Sequence, residues 1–187
     1  MKYVKEEAFK LFDLSTPVIK IKGVGGKLWK RNVKSGSRIG PWLQGDYEII
    51  NKTAWIEKAP CLYFVASCND SIHYVGISRN RLKDRWRTSP AYDANTMERL
   101  ALDQIFHSQC WKNIQKKSME QPNIVFEIRS IKAETIIKNQ HKFNAEIRGL
   151  ASTFTHDAES IVATIERWLC NHKATDFLNW NIAMTSK

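Results

Sequence analysis

Cys61-Leu62-Tyr63-Phe64-Val65-Ala66-Ser67, followed after Cys68-Asn69-Asp70-Ser71 by Ile72-His73-Tyr74-Val75-Gly76-Ile77, is the stretch that decides the fold. Two short runs rich in β-branched and aromatic residues, separated by four turn-forming ones, predict a β-hairpin. With a symmetric tip, Ser67 pairs with Ile72, Val65 with Tyr74 and Tyr63 with Gly76. Side chains alternate along a strand, so Tyr63, Tyr74 and Gly76 share one face and His73 points off it. The two phenols are then diagonal neighbours, about 7–8 Å apart. Gly76 opposite Tyr63 leaves a gap suited to a water and a phosphate oxygen. A loop of odd length would separate the phenols onto opposite faces, and taken alone the pair also reads as two core aromatics.

Outward from the hairpin, the periodicity changes. Residues 80–87 start as a helix, Met97–Gln115 predicts another, and Asn123–Arg129 alternates as a third strand. Residues 133–151 read as a helix plus a loop. Asp157–Asn171 is an amphipathic helix with Ala158, Ile161, Val162, Ile165, Leu169 and Cys170 on one stripe. The order β-β-α-α-β-α predicts an α+β fold, a small three-stranded antiparallel sheet flanked by helices, over residues 60–187. Residues 1–59 read as an N-terminal extension: a helix over Lys5–Leu14, then a basic, glycine-rich arm. Six of the eight glycines fall between residues 18 and 45, which predicts a mobile loop or hairpin. Gly23-x-Gly25-Gly26 lacks the flanking strand and helix of a dinucleotide site.

Composition narrows the class. The chain has 187 residues, 43% hydrophobic and 26% charged, which excludes wholesale disorder. It shows no apolar run of membrane-spanning length, no signal-peptide pattern and no Cys-x-x-Cys pair among its four cysteines. A soluble, reduced, cytoplasmic protein is the expectation. The net charge is +10. Lys20, Lys22, Lys27, Lys30, Arg31, Lys34 and Arg38 occur without one acid among them, and Arg79, Arg81, Lys83, Arg85 and Arg87 are opposed only by Asp84. Charge concentrated in this way points to a polyanion such as nucleic acid.

Two side chains outside the hairpin stand out. Arg85 is three residues after Leu82, so it leans toward the sheet, fork toward a polar face, as bidentate phosphate contact requires. It also reads as a surface arginine lying over Trp86. Glu166, four residues after Val162 and three before Leu169, lies at the border of the apolar stripe, where a carboxylate can reach a divalent cation while its stem packs. It also reads as an ordinary solvated glutamate. Glu159, two turns earlier, is the alternative.

Leu62-Tyr63, Tyr74-Val75-Gly76, Arg85, Glu166-Arg167-Trp168-Leu169-Cys170 and Asn179-Trp180-Asn181, in that order, resemble the GIY-YIG nuclease superfamily over residues 60–182. The resemblance implies a divalent-metal-dependent DNA endonuclease of restriction or phage type, using one Mg²⁺ or Mn²⁺. Carried over residue by residue, it makes Tyr63 the general base and has Tyr74 orient the attacking water. Gly76 keeps the site open, Arg85 stabilises the pentavalent phosphate (with Arg81 as rival), and Glu166 holds the metal. Asn181, or Asn179, braces the neighbouring loop, and His107 is a candidate proton donor to the leaving oxygen. Arg79, Arg81, Lys83 and Arg85 would pull the phenol's pKa down from about 10. Lys27, Lys30, Arg31, Lys34, Arg38, Arg79, Arg81 and Arg87 are the expected contacts to double-stranded DNA, and cutting both strands would call for a homodimer. Cys61 stands where the family commonly has glycine, and Ile77 where many members have lysine. Those departures keep open a second reading, a nucleic-acid-binding module without chemistry. A third is a basic protein that binds a protein partner.

Overall fold

The computed structural model describes residues 2–25, 29–33, 36–40, 44–67, 71–86, 110–154, 156–172 and 177–181. Helix α1 (Lys2–Asp13) leads into β1 (Thr16–Gly25), a ribbon of β2 (Trp29–Val33) and β3 (Gly36–Gly40), then β4 (Gln44–Ile49) and α2 (Lys52–Ile56). The hairpin follows as β5 (Cys61–Ser67) and β6 (Ser71–Ser78), then α3 (Leu82–Trp86), α4 (Cys110–Glu120) and β7 (Phe126–Lys132). Helix α5 (Ala133–Lys138), a 3₁₀ turn, α6 (Ala145–Thr153) and α7 (Ala158–Cys170) close the order. The α+β class is as the sequence predicts.

The sheet has five strands, not three, in the order β4-β1-β7-β5-β6, every neighbouring pair antiparallel. The two extra strands come from the N-terminal segment, so the sheet runs across the boundary expected at residue 60. Pro17-Val18-Ile19-Lys20-Ile21 supplies the apolar residues that β1 needs to lie between β4 and β7. Its pairing with β4 slips between Ile21 and Gly23, and Gly23 takes φ 155°, which side-chain-bearing residues rarely adopt. The segment expected as a mobile loop or hairpin therefore contains β1, the separate β2–β3 ribbon and the start of β4.

Each face of the sheet carries its own core. On one, Leu62, Phe64, Val75 and Ile131 meet Val4, Ala8 and Leu11 of α1, Ile147 of α6, and Ile161, Val162, Ile165 and Leu169 of α7. The other face presents Tyr63, Val65, Ile19 and Ile128 to Trp55 of α2, Leu82 and Trp86 of α3, and Trp111 and Ile114 of α4. Burying apolar area at about 25 cal/mol per Å² makes these two layers the main driving force. Polar groups fix the helix ends. Asp157 caps α7 by accepting from the amides of Glu159 and Ser160, and the buried Glu7 of α1 accepts from the amide of Asn144, the cap residue of α6, at 2.9 Å. The expected helix over residues 97–115 appears as α4 from Cys110 onward; its first part lies outside the described residues. Among the described residues, no helix is long and apolar enough to cross a membrane.

Candidate active site

The hairpin register decides the site. Tyr63 pairs with Gly76 and Val65 with Tyr74, as the sequence predicts. Beyond that point a bulge shifts the pairing, so Ala66 faces Ile72 and Ser67 faces Ser71, where Ser67 opposite Ile72 was expected. The extra residue is His73. It does not point off the tyrosine face: its Nε2 lies 3.0 Å from Ser67 Oγ, and its ring packs against Phe126 in the same layer as Tyr63. A bulge puts two successive residues on one side of a strand, which strict alternation forbids.

The phenols share a face, their ring centroids 6.0 Å apart. Gly76 does not leave an empty gap. A Cβ built there would lie 2.7 Å from Cζ and Oη of Tyr63 and 2.7 Å from Cε1 of Tyr74, so the rings occupy the space a side chain would take. Tyr63 is fully buried, its edge against Trp86 at 5.8 Å, while Tyr74 is half-buried.

Helix α3 delivers Arg85. Leu82 and Trp86 turn into the core, Arg85 Nε donates to Tyr63 Oη at 3.3 Å, and the guanidinium also bonds Tyr74. Much of Arg85 stays exposed, so the fork that ties the phenols remains open to a ligand. It borders an open cleft of about 410 Å³, lined by residues 77–81 with Asp84 and Arg85. Ser78 Oγ donates to the carbonyls of Asn80 and Arg81 at 3.2 Å, shaping the turn that forms the cleft wall. Arg81, which the sequence left as a rival to Arg85, is exposed on that wall, whereas the hydrogen bond to Tyr63 comes from Arg85.

Glu166 acts on this region from α7. Its helix packs on the opposite face, against β6. Its half-buried carboxyl nevertheless interacts electrostatically with Arg85, Arg167 and Arg79, and it acts on Tyr74. Arg79 also pairs with Glu159 at 2.7 Å, joining the turn after β6 to α7. Burial raises the Glu166 carboxyl above the usual carboxylate value, and the three arginines oppose that rise.

The phenols do not follow expectation. Burial pushes Tyr63 up to about 12; Arg85 opposes the shift without cancelling it. Tyr74 is also raised, by burial first and then by Tyr63. The expectation that the basic cluster would lower the phenol's pKa is therefore overturned, because desolvation of a phenolate in this layer outweighs one guanidinium. Tyr63 in turn raises the Arg85 guanidinium above its ordinary value.

Asn181 is the brace. Its Oδ1 accepts from the Val75 amide at 3.0 Å, and its Nδ2 donates to the Val75 carbonyl at 2.7 Å and to Cys170 Sγ at 3.2 Å. A side-chain amide thus acts as a strand partner for the residue between Tyr74 and Gly76, and ties that residue to the end of α7. The chain alongside continues the pairing: Leu178 donates to the Ile72 carbonyl and Trp180 to the His73 carbonyl, both at 3.0 Å. Asn179 is exposed and bonds His73, whose ring stacks on Trp180 at 4.6 Å. Sequence reasoning missed this His73–Trp180–Ser67 arrangement; the one signal was the even-length tip, which a bulge undid. Lys30, Arg31 and Arg38 lie on the β2–β3 ribbon, whereas Lys27, Lys34, Arg87 and His107 lie outside the described residues.

Among the described residues no three His, Cys, Asp or Glu side chains gather as a metal cluster. The Glu166 carboxylate beside an exposed guanidinium still fits Mg²⁺ or Mn²⁺, hard cations that take oxygen ligands, keep several waters and need few carboxylates. Compared with protein-family models, with curated proteins and with solved structures, the chain gives no match.

Proposed function

We propose that the protein is a divalent-metal-dependent DNA endonuclease that hydrolyses phosphodiester bonds through Tyr63, Tyr74, Arg85 and Glu166. The observation that carries this reading is the guanidinium of Arg85 bonded to two phenols packed over Gly76, at the mouth of a basic cleft and within electrostatic reach of the Glu166 carboxylate. Arg85 offers its outward N–H groups to the scissile phosphate and to the charge that grows on it in the transition state. Tyr63, in its small phenolate fraction, takes the proton of the attacking water and becomes the neutral phenol, while Tyr74 orients that water. Glu166 would hold the cation, which supplies Lewis-acid stabilisation of the departing oxygen. Asn181 keeps the strand that carries Tyr74 in place.

The competing reading, a binding module without chemistry, is favoured by one observation: burial keeps both phenols neutral at physiological pH. Glu166 separates the two, because a binder gains nothing from a carboxylate that repels phosphate. The test is nicking of supercoiled plasmid in Mg²⁺, in Mn²⁺ and in EDTA. Wild type nicks with either metal and stops in EDTA, while Glu166→Ala loses at least a hundredfold. Undiminished cutting by Glu166→Ala would show the site to be wrong, and salt-sensitive binding without any cutting would establish the binding module.

A further inference from the structure

Arg79 and Glu159 form an ion pair at 2.7 Å although their side chains are 68% and 46% exposed. A pair this exposed contributes little to stability, because water screens it and two long side chains must be ordered to make it. It nevertheless ties two separate parts of the fold together. Arg79 stands in the turn between β6 and α3, and Glu159 in the first turn of α7, the helix that also carries Glu166. The bond runs through Nε of Arg79, so the terminal N–H groups of its fork are left for another acceptor. Arg79 lines the open cleft together with Arg81 and Arg85, while Asp84, the one acid among the described lining residues, has an interaction of its own. A carboxylate held beside three guanidiniums repels any anion that enters, unless it does something for one of them.

From this arrangement we infer that the cleft takes a second backbone phosphate beside the one met by Arg85, that Arg79 binds it, and that Glu159 is the positioning residue that aims Arg79, a conclusion that rests on DNA being the substrate. Successive phosphates of one strand follow at about 3.4 Å of rise, so a strand laid on Arg85 carries its next phosphate along the same cleft. The turn that bears Arg79 is itself held, since Ser78 Oγ donates to the carbonyls of Asn80 and Arg81. A long side chain loses rotamer freedom when it binds a ligand; one already tied at Nε has lost part of it beforehand, and its contact is correspondingly tighter. Arg79 also acts on the Glu166 carboxyl. Released from Glu159, it would have that second acid to turn to instead of the phosphate.

The test is the affinity for a fluorescent duplex DNA, read by anisotropy across a salt series in Ca²⁺ so that binding is seen without cleavage. Arg79→Ala weakens binding and makes the slope of log K against log salt shallower by about 1. Glu159→Ala removes a negative charge beside a polyanion and still weakens binding, by roughly 3- to 10-fold. Glu159→Gln keeps an acceptor for Nε and stays within about twofold of wild type. In the Arg79→Ala background, Glu159→Ala weakens nothing further. Tighter binding by Glu159→Ala, the result that simple repulsion gives, would overturn the proposal, and so would a loss that persists when Arg79 is absent. A wild type that binds but never nicks sinks the nuclease reading and leaves the Arg79–Glu159 subsite standing; one that nicks while Glu159→Ala binds tighter does the reverse. A chain that binds no duplex overturns both. Unchanged thermal unfolding of each variant confirms that the losses are not losses of folded protein.

Discussion

Gly76 and Tyr63 face each other across the hairpin so closely that a Cβ on Gly76 would sit 2.7 Å from the phenol's Cζ and Oη. Tyr74 closes the same space from the other side, so neither ring can yield without moving its partner. Gly76→Ala therefore costs about 1–3 kcal/mol of stability by overpacking. It also tips Tyr63 off Arg85, so nicking falls by more than the loss of folded protein explains. Urea unfolding and plasmid nicking on the same preparation separate the two effects, and an unchanged midpoint would disprove the close packing.

Asn181 fills both hydrogen-bonding groups of Val75. Asn181→Leu leaves a buried amide and a buried carbonyl unpaired, at about 1–3 kcal/mol each. For a chain of this length, each kcal/mol lowers Tm by roughly 2–4 °C. Asn181→Asp keeps the acceptor and loses the donor, so its Tm falls between wild type and the leucine variant. A differential scanning experiment in which both variants melt like wild type would refute the brace.

If Tyr63 is the general base, its neutral resting state sets the pH dependence. A phenol at about 12 is ionised in about one molecule in 10⁵ at pH 7, and that fraction grows tenfold per pH unit. The nicking rate of wild type should therefore rise about tenfold per unit from pH 7 to 9, and Tyr63→Phe should flatten the profile. Arg85→Lys keeps the charge but not the fork, and should lose nearly as much rate as Arg85→Ala. A flat wild-type profile would remove Tyr63 from the base role.

His73 gives a stability signature of its own. Burial lowers its pKa below the ordinary 6.5; the Asn179 bond opposes that shift and Lys117 adds to it. The unfolded chain then takes up a proton that the folded chain refuses. Stability is fully present above about 6.5 and falls as pH drops from there toward the folded value, by at most about 1.4 kcal/mol per unit. His73→Gln should keep the Ser67 contact and lose this slope, which urea titrations at pH 7, 6 and 5 will read.

The legible parts of the sequence were local ones. The hairpin, its tyrosine pair and the stripe of α7 follow from periods of 2 and 3.6, and these placed Tyr63, Tyr74, Arg85 and Glu166 in advance. Strands β1 and β4 were not legible, because lysines and glycines in that segment outweighed Val18, Ile19 and Ile21, and because β1 finds its partner β7 about a hundred residues later. The bulge at His73 was lost for another reason: a one-residue slip at the tip depends on turn geometry, not on composition. The phenols' pKa went wrong because charge can be counted along a chain, whereas burial depends on Trp86 and Trp111 arriving from elsewhere.

The outer side of β6 is closed by residues 177–181, through the Ile72, His73 and Val75 main-chain groups. During synthesis those residues leave the ribosome long after the hairpin has emerged. The strand bearing Tyr74 thus has one side unzipped while the following hundred or so residues are made, and Val75 gains its last partner only when Asn181 is released. The order of manufacture delays the assembled site until Asn181, 106 residues after Val75, has been made.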